Sequence, residues 1–188
     1  THYLHGPDNN AVARDTVVGP PRHLQWNSRP KWMRSHEHLA SISAVVSSGG
    51  RIFSILDEGP TSFVAAPSKW RLEARDAFNG ILLWEKKIGP WEYHLRGFRS
   101  GPPELKRRLV AKDNRVYVTL GYDKPVVALD AATGKTEQKY SGTEGTLETI
   151  CKNGVLYVFA GKRPSLKAKR YATDSIDAFS DYHLGALR

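Results

Sequence analysis

The feature that most constrains this chain is a short segment that occurs twice. Ala74-Arg75-Asp76-Ala77-Phe78-Asn79-Gly80 aligns without gaps on Ala128-Leu129-Asp130-Ala131-Ala132-Thr133-Gly134, so both copies read Ala-x-Asp-Ala-x-(Asn/Thr)-Gly, 54 residues apart. A second element precedes each copy and then returns a third time. It is a turn followed by an apolar and an aromatic residue, in Gly49-Gly50-Arg51-Ile52-Phe53, Asp113-Asn114-Arg115-Val116-Tyr117 and Asn153-Gly154-Val155-Leu156-Tyr157. The Asp side chain can accept backbone N–H bonds across its turn, and the glycine can close it at positive φ. A turn of this kind between two strands makes a hairpin, and the preceding Gly-Gly or Asn-Gly turn makes another. Two linked hairpins form a four-stranded antiparallel unit.

The segments between these turns read as strands. Arg51–Leu56, Trp70–Asp76, Ile81–Trp84, Arg115–Leu120, Pro125–Leu129 and Val155–Phe159 are short, β-rich runs bounded by Gly, Pro, Asn or Asp. With 16 Gly and 11 Pro in 188 residues, no run is long enough for a buried helix, so from about residue 41 the chain is expected to be all-β. One four-stranded sheet cannot bury both its faces. Copies must stack about an axis, which is the β-propeller solution. Ala74 and Ala128 suit a tight face between sheets, and Trp84 suits the gap between neighbours.

The full pattern, Ala-x-Asp-x-x-Thr-Gly-x-x-x-Trp, resembles the repeat of the pyrroloquinoline-quinone (PQQ)-like propellers, the quinoprotein alcohol dehydrogenase-like family. The family contains quinoprotein alcohol dehydrogenases and non-enzymatic outer-membrane assembly lipoproteins. The first copy departs by Asn79 in place of Thr, and the second by Gln138 in place of Trp. A degenerate third copy is expected near Ser175-Ile176-Asp177-Ala178-Phe179. His5-Gly6-Pro7-Asp8-Asn9-Asn10, with Leu24-Gln25-Trp26 downstream, is similar to the opening segment of such propellers. The expected organisation is an opening segment over 1–40 and about three four-stranded antiparallel blades over 41–188, the last degenerate. Phe53 and Tyr117 are 64 residues apart, and Tyr117 and Tyr157 are 40 apart. Closed propellers have roughly 4–8 blades, so about three make an incomplete ring and the chain reads as a fragment of a larger propeller. No start methionine or leader precedes Thr1. The segment 85–106 reads as an insertion between blades.

Composition narrows the function classes. Hydrophobic residues make up 40% of the chain, which is globular composition. Cys151 is the single cysteine, excluding an internal disulfide framework and a Cys-based zinc cluster. No apolar run approaches the ~20 residues of a spanning helix. The 28 Lys+Arg against 19 Asp+Glu give a net charge of +9. The basic runs Lys106-Arg107-Arg108, Lys162-Arg163 and Lys167-Ala168-Lys169-Arg170 lack the interleaved aromatics of a base-stacking groove. They read as solvated surface, and nucleic acid is not an expected partner.

Several residues invite a chemical role. On a strand, His36 and His38 would share a face as two metal ligands do. With His23 they lack a completing set, and Arg34 opposes a cation. Asp57, Glu58 and Glu104 can act as acid or base where buried, but Asp57-Glu58-Gly59-Pro60 reads as a turn. Ser68, Ser100 and Ser165 have no nucleophile-elbow context. Cys151 reads as a small buried hydrophobe. No residue is assigned as catalytic, cofactor-binding or metal-binding. The resemblance implies PQQ and Ca²⁺ in the enzymatic relatives, together with a disulfide between adjacent cysteines at the cofactor, which one cysteine cannot form. PQQ is expected only in a complete propeller. The expected function is an extracytoplasmic, periplasmic binding or scaffold module of a larger protein, without catalysis of its own. Its partners are then other blades or domains of that protein, or protein or small-molecule ligands. The alternative is part of a PQQ-dependent quinoprotein oxidoreductase.

Overall fold

The structure, a computed structural model, describes residues 1–95, 99–162 and 182–187, the last as a strand. Among the described residues, eleven strands form three antiparallel sheets. β1 (Ile42–Ser48), β2 (Arg51–Asp57), β3 (Trp70–Asp76) and β4 (Leu82–Lys87) make the first sheet in chain order. β5 (Leu109–Lys112), β6 (Arg115–Thr119), β7 (Val126–Asp130) and β8 (Thr136–Lys139) make the second in the same order. β9 (Thr146–Lys152), β10 (Val155–Gly161) and β11 (Tyr182–Leu187) make the third, which has three strands among the described residues. The three sheets are successive blades, and the ring is incomplete. Of the expected insertion 85–106, residues Glu85–Lys87 instead finish β4 and Pro103–Arg108 form a 3₁₀ helix. The proposed third motif around Asp177 and the basic run 167–170 lie outside the described residues.

The two Asp-turns are the same object. Asp76 Oδ1 accepts from the N–H groups of Phe78 and Asn79 at 2.8 and 3.0 Å. Asp130 Oδ1 accepts from the N–H and hydroxyl of Thr133 at 2.8 and 2.6 Å. Gly80 N–H returns to Asp76 O and Gly134 N–H to Asp130 O. The two glycines sit at φ +75° and +70°.

An indole covers each of these glycines. Trp84, on β4 of the first blade, lies against Gly134 of the second, and its Nε1–H donates to Ala131 O at 3.0 Å. Trp26, from the opening segment, lies against Gly80 and donates to Ala77 O at 3.1 Å. A Cβ added at Gly80 or Gly134 would meet the ring at 2.6 or 2.7 Å.

Strand alternation then divides the core. Phe53, Leu72 and Ala74 of the first blade pack with Leu109, Ala111, Val116, Val118 and Leu129 of the second. The alternate residues Val110, Tyr117, Val126 and Ala128 pack with Cys151, Leu156, Val158 and Ala160 of the third. The middle blade is buried on both faces, which is why β7 reads as an unbroken apolar run. Register extends the equivalence: Phe53 pairs with Ala74 and Ala74 with Trp84, and Tyr117 pairs with Ala128 and Ala128 with Gln138. In the third blade Tyr157 pairs with Ala186. Ala186 thus takes the register position that Ala74 and Ala128 hold in the other two blades.

Gly134→Ala is expected to destabilise the protein by about 2–3 kcal/mol, combining left-handed strain with displacement of the Trp84 ring. Gly154→Ala should cost about 1 kcal/mol, since Gly154 has φ +75° with no atom near its missing Cβ. Urea unfolding of the two variants checks the difference, and equal costs would remove the indole contact from the account.

Candidate functional site

β1, β5 and β9 are the edge strands that start each blade, and neighbouring ones pack together. Their ends meet at the hairpin turns Ser48–Arg51, Lys112–Arg115 and Lys152–Val155. Residues 1–7 lie in this mouth. The Thr1 amino group donates to Ser47 O of β1 at 2.7 Å and also contacts Ala111 O. Ala111 N–H donates back to Thr1 O at 2.9 Å. Cys151 N–H of β9 donates to His2 Nε2 at 2.9 Å. Two residues therefore satisfy edge groups of all three blades, groups that an open sheet edge leaves unpaired.

Beside them is an open cleft of about 730 Å³, lined in part by Arg51, Lys112 and Lys152. Its charge is mainly positive, with Asp113 on Lys112 at 3.1 Å. Burial first, then the Thr1 ammonium, pushes His2 down to about 4 against the raising pull of Glu148. A neutral imidazole is the form that accepts from Cys151 N–H. Desolvation raises the Cys151 pKa, although Lys112 acts against it. The thiol is buried, as the sequence suggested, and its raised pKa keeps it protonated.

On the opposite edge of the sheets the loops are held by buried arginines. Arg34 bonds Asp57 Oδ2 at 2.6 Å, both side chains being 4% exposed. It also donates to the carbonyls of Pro60 and Val64 at 3.1 Å and to that of Ala66. Asp57 Oδ1 accepts from Gly59 and Lys69 N–H. The turn chemistry expected of Asp57 is present, and the carboxylate is fully engaged in it. Arg108 lies 4.3 Å over the Trp91 ring, donates to Trp91 O at 3.1 Å and sits 3.6 Å from Glu92. Arg107 reaches Glu148 on β9 at 3.3 Å. The expectation of a solvated basic surface at Lys106-Arg107-Arg108 is thus corrected: Arg108 is fully buried, because the 3₁₀ helix turns it beneath the loop carrying Trp91.

The remaining candidates stay apart. His36 and His38 lie in bends before β1 rather than on a strand, and His23 is exposed. Among the described residues no three His, Cys, Asp or Glu side chains converge as metal ligands. Glu104 is in the first turn of the 3₁₀ helix, Ser100 is exposed and Ser68 lines a separate cleft. Ser165 lies outside the described residues. Sequence reasoning missed the role of Thr1 and His2, and that of Arg29, which bonds Glu58, Glu73 and Glu85 together. No local pattern marks these residues, since these partners lie 29 or more positions away.

Among the described residues, the rings that line the mouth are the His2 and His5 imidazoles.

Among solved structures, the chain is similar to BamB from Moraxella catarrhalis, at 15% identity and a TM-score of 0.40, over 63% of this chain and 30% of that one. It is also similar to the quinohemoprotein alcohol dehydrogenase from Comamonas testosteroni, at 17% identity and a TM-score of 0.38, over 66% of this chain and 18% of that one. The matched part spans less than a third of either protein. No family profile and no curated protein matches the chain. Among the described residues no helix is long and apolar enough to cross a membrane.

The folded His2 value lies below the unfolded ~6.5, so the folded protein binds fewer protons between the two. The His2 contribution is complete above pH ~6.5 and is lost as pH falls towards 4. The Tm difference between the parent protein and His2→Phe is therefore expected to be largest near pH 7.5 and to shrink steadily towards pH 4. A pH-independent difference would remove His2 from the mouth. Arg34→Met should cost about 3–5 kcal/mol in urea unfolding, because it leaves Asp57 buried without its cation.

Proposed function

We propose that this chain is a binding or scaffold module, a run of propeller blades acting within a larger extracytoplasmic protein without catalysis of its own. One observation carries this reading. The space where three blade edges converge is taken up by backbone and imidazole bonds from Thr1 and His2 to Ser47, Ala111 and Cys151. The titratable groups there serve structure: His2 is an acceptor, and Cys151 is an inert thiol. The cationic rim of Arg51, Lys112 and Lys152 leaves a polar surface for other blades or domains of the same protein, or for a protein or small-molecule ligand. The opening segment 1–40 belongs to this module, since Trp26 docks on the first blade as Trp84 docks on the second.

Titrating the purified chain with PQQ and Ca²⁺ while following cofactor absorbance, then assaying dye-linked alcohol oxidation, tests the reading. The expected outcome is no saturable binding below about 1 µM and no turnover above the free cofactor. Submicromolar binding or turnover would promote the alternative, a part of a PQQ-dependent quinoprotein oxidoreductase.

A further inference from the structure

The two complete repeats differ most where they face outward. In the gapless alignment Phe78, Ile81, Leu82 and Leu83 of the first blade fall on Ala132, Lys135, Thr136 and Glu137 of the second. The turns and strands built from them are the same, down to the bulge residue, which is Leu83 in β4 and Glu137 in β8. The second blade therefore shows that this fold accepts polar residues here. The first blade carries apolar ones in the open: Phe78 is 76% exposed, Ile81 60%, Leu82 38% and Leu83 43%. A missing neighbour is not the cause. The middle blade is packed against a blade on each side, and all four residues of its β8 are still exposed. The fourth strand of a blade runs along the perimeter, where an adjoining blade does not reach.

Among the described residues β4 pairs with β3 alone, so its other edge presents backbone N–H and C=O groups outward. β8 blunts the same edge with Thr136-Glu137-Gln138-Lys139. β4 carries charge only on its far half, Glu85-Lys86-Lys87. At that end the strand runs into an open cleft of about 380 Å³, lined by Ser68, Lys69, Arg71, Lys87 and Ile88 among others. Arg71 is held there by Glu58 and Glu85, whereas Lys69 and Lys87 are exposed and make the cleft positive. One perimeter strand thus has an apolar start and a cationic end.

We propose that the outer edge of β4 is a docking site for an extended segment of another protein. The segment adds a strand beside Trp84–Lys87, lays apolar side chains on Ile81, Leu82 and Leu83, and places a carboxylate at Lys69 and Lys87. Backbone bonds along the edge supply affinity, and the contrasting chemistry of its two ends sets the register. The bulge at Leu83 interrupts regular pairing, so the apolar residues serve as a contact pad beyond the ladder. An extended segment fits better than a lipid surface. The apolar pad and the cationic cleft lie at opposite ends of one strand, about 20 Å apart, which a peptide spans and a single bilayer interface does not. This edge is separate from the mouth, and it rests on the binding-module reading only in taking a protein partner.

The probe is a fluorescein-labelled peptide of alternating valine and threonine followed by glutamates, used beside its reverse-order twin and a twin with lysine for glutamate. In fluorescence anisotropy the full chain is expected to bind one of the two acidic peptides saturably, with Kd below about 1 mM. The lysine twin should bind at least tenfold more weakly. Ile81→Lys, Leu82→Thr and Leu83→Glu together give the first blade the residues that the same fold carries in the second. This triple variant should lose at least tenfold in affinity with an unchanged circular dichroism spectrum, and so should Lys69→Glu combined with Lys87→Glu. The PQQ titration does not report on this edge, so the two readings fail separately. Absence of saturable binding by either acidic peptide overturns the docking site. So does binding indifferent to both variants, or sedimentation with phosphatidylglycerol vesicles that the triple variant abolishes while no peptide binds.

Discussion

An indole lying on a glycine holds this architecture together. At Gly80 and Gly134 the tight turn requires positive φ, and the ring above requires that no Cβ be present. The same turn exposes an alanine carbonyl to the indole N–H. One contact thus fixes the distance and orientation between the fourth strand of one sheet and the third hairpin of the next. The rest follows from that spacing. Ala74, directly opposite Trp84, must be small for the ring to lie down, and it is wholly buried. Once neighbouring sheets are set at this distance, alternate side chains of the middle sheet have no choice but to fill both gaps.

This logic is local and periodic, which is why so much of the fold can be read from the sequence. The spacing from Asp76 to Gly80 and from Asp130 to Gly134 gives the turn, its hydrogen bonds and its glycine conformation together. Trp84 can be assigned to the gap between sheets for the same reason. What escapes is the chemistry that depends on distant partners. β5, β8 and β9 carry weak β patterns and are strands because their neighbours pair with them. Thr1 and His2 look like an arbitrary start, and their bonds run to positions 46 to 149 residues away. Asp57 reads correctly as a turn residue, but nothing nearby announces that Arg34 will be its cation.

The basic excess is also distributed by the fold in a way that composition hides. Arg29, Arg71 and Arg75 converge on Glu58, Glu73 and Glu85 across the outward face of the first blade. Glu73 is 2% exposed, and a buried carboxylate persists only where such cations and hydrogen bonds surround it. Arg34 and Arg108 are consumed inside loops. Part of what reads as a cationic surface is therefore internal scaffolding, while Arg51, Lys112 and Lys152 line the mouth.

Gln138 stands where the pattern calls for a third indole. Its side chain is exposed on β8, and it has no ring to lay over a glycine of the following turn. The seam between the second and third sheets then rests on the packing of Val110, Tyr117, Val126 and Ala128 against Cys151, Leu156, Val158 and Ala160, with the Arg107–Glu148 pair and the His2 bond to Cys151 beside it. The three sheets consequently form a ladder of cooperativity rather than one block. In native-state hydrogen exchange the amides of β9 and β10 are expected to open below the global unfolding energy, and those of β3 and β7, whose turns Trp26 and Trp84 cover, only with the whole molecule.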